Sequence, residues 1–222
     1  MSQKTIVVVG VGEGLGKAIA KAFGKIQSNG EQNFKVCMIA RNTKKLETFK
    51  QEFEKEGIQA FIYEADCGKP HTLKMAFEKI LKDCGSIEIL VYNAALNGAQ
   101  YCGLATSFDN EDFIKHFQVN VASALVCVKF VAENQAKNEA IIFTGGIFGD
   151  TPMKEYTGIS VGKAALKALG KTLSDELKDK GIFVGLVTIT QVIAPNTSHS
   201  PELIAQKYIQ MYEKRDKFEY VH

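Results

Sequence analysis

The chain has 222 residues, enough for one domain with a sizeable buried core, and its 45% hydrophobic and 23% charged residues are ordinary for a soluble globular protein. A formal charge of +2 without a clustered basic tract argues against a nucleic-acid binder, and no apolar run approaches the ~20 residues of a bilayer span. The five cysteines, Cys37, Cys67, Cys84, Cys102 and Cys127, are widely spaced and form no CxxC pair. They read as reduced thiols in or near a core, not as a disulfide framework or zinc site, and the lack of a secretory leader pattern points to a cytoplasmic protein.

In chain order, Thr5–Val9 reads as a buried strand and Leu15–Gln27 as a helix, with Ala18, Ile19, Ala22, Phe23 and Ile26 at helical spacing. Between them runs Gly10-Val11-Gly12-Glu13-Gly14-Leu15-Gly16. In such a unit Gly10 allows a tight turn, Gly14 lets backbone approach a pyrophosphate, and Gly16 lets helix pack close to strand. Gly12 and Leu15 complete a turn that presents phosphates to the positive helix start. A lone glycine cluster can be a flexible turn; the strand before it and the helix after it favour a dinucleotide site.

Strand Phe34–Ala40 comes next and ends in Ala40-Arg41-Asn42. An acid at that point would bond the ribose hydroxyls of NAD and repel a 2′-phosphate. Arg41 instead suits a phosphate by charge and fork geometry, so NADP(H) is the expected cofactor. Glu13 in the phosphate loop counts against this, and a solvated surface arginine is the plain alternative.

Lys44–Glu56 then reads as a helix, Ala60–Glu64 as a strand, Thr72–Asp83 as a helix and Ile87–Tyr92 as the fourth strand. A long helical pattern covers Asn110–Glu133, followed by strand Ala140–Thr144, helix Tyr156–Lys180 and strand Phe183–Thr190. Pro201 opens a last helix to about Lys214, and Phe218–Val221 closes as a small strand. Apolar strands alternating with helices imply an α/β fold: a single Rossmann-type domain over residues 1–222, with a doubly wound parallel sheet and helices on both faces. His71, His116, His199 and His222 have no metal-ligand spacing and read as surface or capping residues; no metal site is expected.

The Gly-x-x-x-Gly-x-Gly spacing resembles the short-chain dehydrogenase/reductase family, and further landmarks fall in order along the chain. Asp66, beside Cys67, matches the family acid that contacts the adenine amino group. Asn93-Ala94-Ala95 resembles the family's Asn-Asn-Ala-Gly, with Tyr92 and Ala95 as departures. Asn120 matches the helix asparagine of the proton relay, although it can also be an ordinary polar residue on an apolar helix. Lys163 in Gly162-Lys163-Ala164-Ala165 matches the lysine of Tyr-x-x-x-Lys, which binds the nicotinamide ribose and lowers the tyrosine pKa. The resemblance also implies a homodimer or homotetramer built on helices 110–133 and 156–180, with a small-molecule substrate and no nucleic acid or membrane as partner.

The chemical end departs from that pattern. The tyrosine position is Ile159, the serine position is Gly146, and Ile189-Thr190 stand where the family has Pro-Gly. Tyr156 lies two turns before Lys163 on the same helical face, about 4.5 Å further toward the helix start than the usual tyrosine. A displaced Tyr156/Lys163 pair is one reading; a tyrosine packed at the helix entrance is the other. Two functions follow: an NADP(H)-dependent oxidoreductase acting on a small carbonyl, alcohol or quinone, or a catalytically silent NADP(H)-binding sensor or regulatory protein. The short segment Thr190–Pro201 would form a small lid over an open pocket.

Overall fold

The computed structural model describes residues 3–28, 30–96, 98, 101–134 and 139–222. The apolar run after Lys4 forms β1 (Lys4–Val9), buried from Thr5 onward because strands flank it on both sides and helices cover both faces. The glycine turn leads into α1 (Leu15–Gly24). A short antiparallel hairpin of β2 (Gln27–Ser28) and β3 (Glu31–Gln32) precedes β4 (Phe34–Ala40), α2 (Thr43–Lys55), β5 (Ala60–Glu64), α3 (Pro70–Cys84) and β6 (Ile89–Tyr92). The second half runs α4 (Asn110–Phe117), α5 (Ser123–Asn134), β7 (Ala140–Thr144), α6 (Thr157–Leu177), β8 (Phe183–Thr188), α7 (Pro201–Lys214) and β9 (Glu219–Val221).

Seven strands pair in parallel in the order β5-β4-β1-β6-β7-β8-β9. Val9 of β1 stands between Ile39 of β4 and Tyr92 of β6, so strand order reverses there and a crevice opens at the carboxyl ends. The period-2 alternation of β1 divides the core. Val7 and Val9 pack with Leu73 and Phe77 of α3, Val128 of α5 and Leu166 of α6. Ile6 and Val8 pack on the opposite face with Phe23 of α1, Phe49 of α2 and Tyr208 of α7. The doubly wound Rossmann architecture is therefore present, with α1, α2 and α7 on one face of the sheet and α3, α5 and α6 on the other.

Two elements differ from the sequence reading. The first helix stops at Gly24, because Ile26 N–H closes back on Phe23 O at 3.1 Å and Asn33 N–H then bonds Ile26 O at 2.9 Å, turning the chain into the hairpin. The helix expected over Asn110–Glu133 is two helices joined by a π-turn at Gln118–Ala122. The Tyr92 hydroxyl donates to Val119 O at 2.5 Å, drawing that carbonyl out of the regular helical ladder. Residues Asn110–Asn134 are nevertheless long and apolar enough, by length and composition, to cross a membrane, contrary to the sequence expectation. Half of that apolar window is buried, with Ala124, Cys127, Val128 and Val131 in the core, which accounts for it as a core helix.

Candidate dinucleotide and active site

The glycine turn is shaped by contacts at two glycines and by open space at two others. Gly10 has φ +90°, and a Cβ there would lie 2.5 Å from the Ala94 backbone. A Cβ on Gly16 would lie 2.6 Å from Gly10 O, so only glycine lets α1 approach β1 this closely. Asn93 Nδ2 donates to Gly10 O at 2.9 Å and ties the turn to the end of β6. Gly12 and Gly14, by contrast, face open space with nothing within 4 Å of an added Cβ. The start of α1 has no side-chain cap and no acid in its first turn, leaving a positive helix end toward that space.

That space is a cleft of about 890 Å³ along the carboxyl ends of the strands, within the range of cofactor and ligand sites. Its walls bring together Gly10, Gly12, Gly14, Leu15, Gly16, Arg41, Asp66, Cys67, Asn93, Ala94, Tyr156 and Lys163. The glycine cradle, the bare helix start and the length of the cleft fit a dinucleotide.

At one end, Asn42 Oδ1 caps α2 by accepting Lys45 N–H at 3.1 Å, and Arg41 lies exposed on the cleft wall. Glu13 has its own partner, Lys17 at 3.7 Å, so its charge is partly offset. Asp66 Oδ1 accepts Gly68 N–H at 2.8 Å, and Thr72 Oγ1 accepts Asp66 N–H at 2.9 Å, which orders the loop after β5. Burial pushes the Cys67 thiol up to about 11, with the Arg41 charge opposing, so Cys67 is a neutral wall residue.

At the other end, Lys163 is buried on α6, and its ammonium donates to Thr144 O at 2.6 Å. Burial without a carboxylate partner pulls its pKa down to about 8. The Thr144 hydroxyl does not serve the cleft. It donates to Asn93 Oδ1 at 3.0 Å and lies 2.7 Å from the buried Tyr208 hydroxyl. A Cβ on Gly146 would come no closer than 3.8 Å to anything, the nearest atom being Lys163 Cγ. A Cβ at position 146 would thus meet its neighbours at ordinary contact distance. Ile159 and Tyr156 both lie on the cleft wall, and the Tyr156 ring is stacked on Phe148 at 4.9 Å and 11°. Tyr156 and Lys163 line one cleft, but no hydrogen bond joins them.

Asn120 is placed differently. It is fully buried in the π-turn, off the cleft wall, where its Oδ1 accepts Leu96 N–H at 3.0 Å and its Nδ2 has no partner. A Cβ on Gly162 would lie 2.6 Å from that Nδ2, so the asparagine packs directly under the turn of α6 that carries Lys163. Tyr92, which the sequence marked only as a departure, is what holds the π-turn open. Its hydroxyl partner lies 27 residues away, which no local pattern could have announced.

The lid after β8 places Thr190, Gln191, Val192 and Ile193 on the cleft, with Val192 84% exposed. Its base is held to the end of β9: Thr190 N–H and Oγ1 donate to His222 O at 2.9 and 2.7 Å, and His199 Nε2 lies 3.2 Å from Thr190 Oγ1. His116 and His199 are buried, not surface residues. His116 lies under the Tyr101 and Phe108 rings, and His199 braces the lid. Among the described residues no group of side chains could hold a metal ion.

The strained lysine has a measurable consequence. The folded pKa of Lys163 lies below its unfolded value of 10.5, so burying the charged form costs stability at neutral pH. That cost shrinks as pH rises through about 8 and is gone above 10.5. We expect wild type minus Lys163→Met unfolding free energies to rise by about 3 kcal/mol between pH 7 and 10.5. Urea unfolding of both proteins across that range measures it; a flat difference would place the lysine in a solvated environment.

The architecture is that of a doubly wound dinucleotide-binding fold. The backbone superposes on a dehydrogenase/reductase from Sinorhizobium meliloti 1021 with a TM-score of 0.87 at 22% identity, covering 100% of this chain and 94% of that one. It also matches a short chain dehydrogenase from Burkholderia cenocepacia J2315 in complex with NADP, with a TM-score of 0.87 at 20% identity over 99% and 96% of the two chains. In sequence, residues 4–202 match the short chain dehydrogenase family, and the chain belongs to that family. Glucose 1-dehydrogenase 2 of Bacillus subtilis is 27% identical over 200 residues, 89% of this chain and 72% of that protein. Diacetyl reductase [(S)-acetoin forming] of Staphylococcus epidermidis is 26% identical over 184 residues, 82% and 68% of the two.

Proposed function

We propose that the protein is an NADP(H)-dependent oxidoreductase that reduces a small, uncharged carbonyl or quinone, or oxidises the corresponding alcohol. The observation that carries this reading is Lys163, a buried amine without a carboxylate partner, in the same cleft as the glycine cradle. A bound nicotinamide cofactor supplies or accepts the hydride. Gly12, Gly14 and the start of α1 would hold its pyrophosphate, Arg41 its 2′-phosphate, Asp66 its adenine and Lys163 its nicotinamide ribose. Tyr156 would hand a proton to the substrate oxygen, with the Lys163 charge favouring the phenolate left behind. Asn120 acts by position, under Leu96 and Gly162.

The substrate half of the cleft is lined by Leu96, Tyr101, Ile147, Phe148, Met153 and Ile193. Such a lining offers little to the hydroxyls of a polyol and favours an apolar carbonyl. Ile114, Phe117 and Val161 are exposed on the packed α4/α6 pair, which supports association of two copies through that face. Ile159 and Gly146 favour a second reading, an NADP(H)-binding regulatory protein without turnover.

Cofactor choice is tested by titrating NADPH and NADH against wild type and Arg41→Ala. Loss of a charge-assisted phosphate contact is expected to weaken NADPH binding by about 1.5–3 kcal/mol, tenfold or more, and to leave NADH unchanged. Equal affinities in wild type would remove the assignment to NADP(H). NADPH oxidation with a panel of aldehydes, ketones and quinones then separates the enzyme from the silent binder.

A further inference from the structure

On the α3 face of the sheet, away from the glycine turn, two free cysteines meet. Cys37 in β4 and Cys84 at the end of α3 are both buried, with their sulfurs 3.5 Å apart. The Tyr63 hydroxyl lies 3.7 Å from Cys84 Sγ and donates to Asp83 Oδ2 at 3.1 Å. Lys35 Nζ donates to Cys84 O at 3.4 Å. This places a thiol, a phenol and a lysine charge around one sulfur, with a second sulfur already in contact.

We propose that Cys37 and Cys84 form a redox-modification site, in which hydrogen peroxide converts the two thiols into a disulfide. Three features make Cys84 the attacking sulfur. It receives the Cys37 hydrogen bond, it stands near the Tyr63 hydroxyl, and it keeps a 6% exposed surface while Cys37 has none. The Cys37 hydrogen bond and the Lys35 charge draw the Cys84 thiol down to about 7, against burial and the Asp83 charge, while Cys37 is pushed up. The Cys84 thiolate attacks a peroxide oxygen, the O–O bond breaks, and the departing hydroxide takes a proton to leave as water. Cys84 is then a sulfenic acid. The Cys37 sulfur attacks the Cys84 sulfur, the S–O bond breaks, and hydroxide leaves with the Cys37 proton as a second water. Two thiols are oxidised by two electrons and one peroxide is reduced to two waters. The sulfurs need to close by about 1.5 Å to reach disulfide length.

The site joins two elements that both lead into the cleft. β4 runs on to Ala40 and Arg41, and α3 follows the Asp66–Cys67 loop. The chemistry does not depend on the oxidoreductase reading, and it is tested without turnover.

The test treats the folded full chain with hydrogen peroxide, blocks remaining thiols under denaturing conditions, and maps peptides by mass spectrometry. The expected result is a cross-linked peptide pair joining Cys37 to Cys84, loss of two thiols, and their return with dithiothreitol. In Cys37→Ser, which keeps a small hydrogen-bond donor beside Cys84 but no resolving sulfur, Cys84 should instead accumulate as a sulfenic acid trapped by dimedone. Retention of all thiols overturns the proposal. So does oxidation confined to the exposed Cys102, or a Cys84 that passes to sulfinic acid in wild type without the cross-link.

Discussion

Gly14→Val is expected to fold like wild type and to lose NADPH and NADH affinity by 100-fold or more. A Cβ at Gly14 meets nothing within 4 Å and the residue has no positive φ, so an added Cβ clashes with no atom of the fold. The branched side chain would instead enter the space between the turn and the start of α1, where a pyrophosphate must approach backbone. Gly10→Val is the contrasting case. There the backbone is left-handed and the new Cβ would lie 2.5 Å from Ala94, so the expected loss is about 3 kcal/mol or more of folding stability. Fluorescence titration of both cofactors and urea unfolding of both variants separate the two effects. A well-folded Gly14→Val protein with normal affinity would show that the dinucleotide lies elsewhere.

Tyr156→Phe is expected to lower turnover about 100-fold with a change of less than about twofold in NADPH affinity, the signature of a lost general acid. The hydroxyl stands on the cleft wall with Ile159 and Lys163, and the ring is already held against Phe148, so the substitution leaves packing intact. Lys163→Ala should weaken both turnover and cofactor binding. Activity that survives Tyr156→Phe would remove the displaced pair and leave water or the substrate as proton source. In that event Gly146→Ser with Ile159→Tyr is expected to raise carbonyl reduction, because a Cβ at position 146 would sit at ordinary contact distance, 3.8 Å, from Lys163 Cγ.

The comparison of sequence and structure turns on how local each signal is. The strands Phe34–Ala40, Ala60–Glu64 and Ala140–Thr144 were legible to the residue, since each is a short apolar run bounded by turn chemistry. The two-residue strands β2 and β3 were not, because Gln27, Ser28, Glu31 and Gln32 carry no hydrophobic alternation and a helix pattern overran them. The π-turn was hidden for a different reason. Residues 110–133 are helical in composition throughout, and the break depends on the hydroxyl of Tyr92 from a distant strand.

At the site the division is the same. The glycine turn, Arg41, Asp66, Asn93 and Lys163 could be placed on one cleft from sequence, because strand ends and helix starts in a doubly wound sheet converge by topology. Which groups point into the cleft was decided by packing. Thr144 spends its hydroxyl on Asn93 and Tyr208, and Asn120 turns beneath α6 to brace Leu96. His116 is enclosed by aromatic rings, and Cys37 and Cys84 meet across 47 residues. Periodicity and spacing report the direction of a backbone and the face of an element. Side-chain partners from different elements are chosen only when the elements pack, so the fold and the residues gathered on one cleft lay in the sequence, while the hydrogen-bond assignments within that cleft belonged to the tertiary structure.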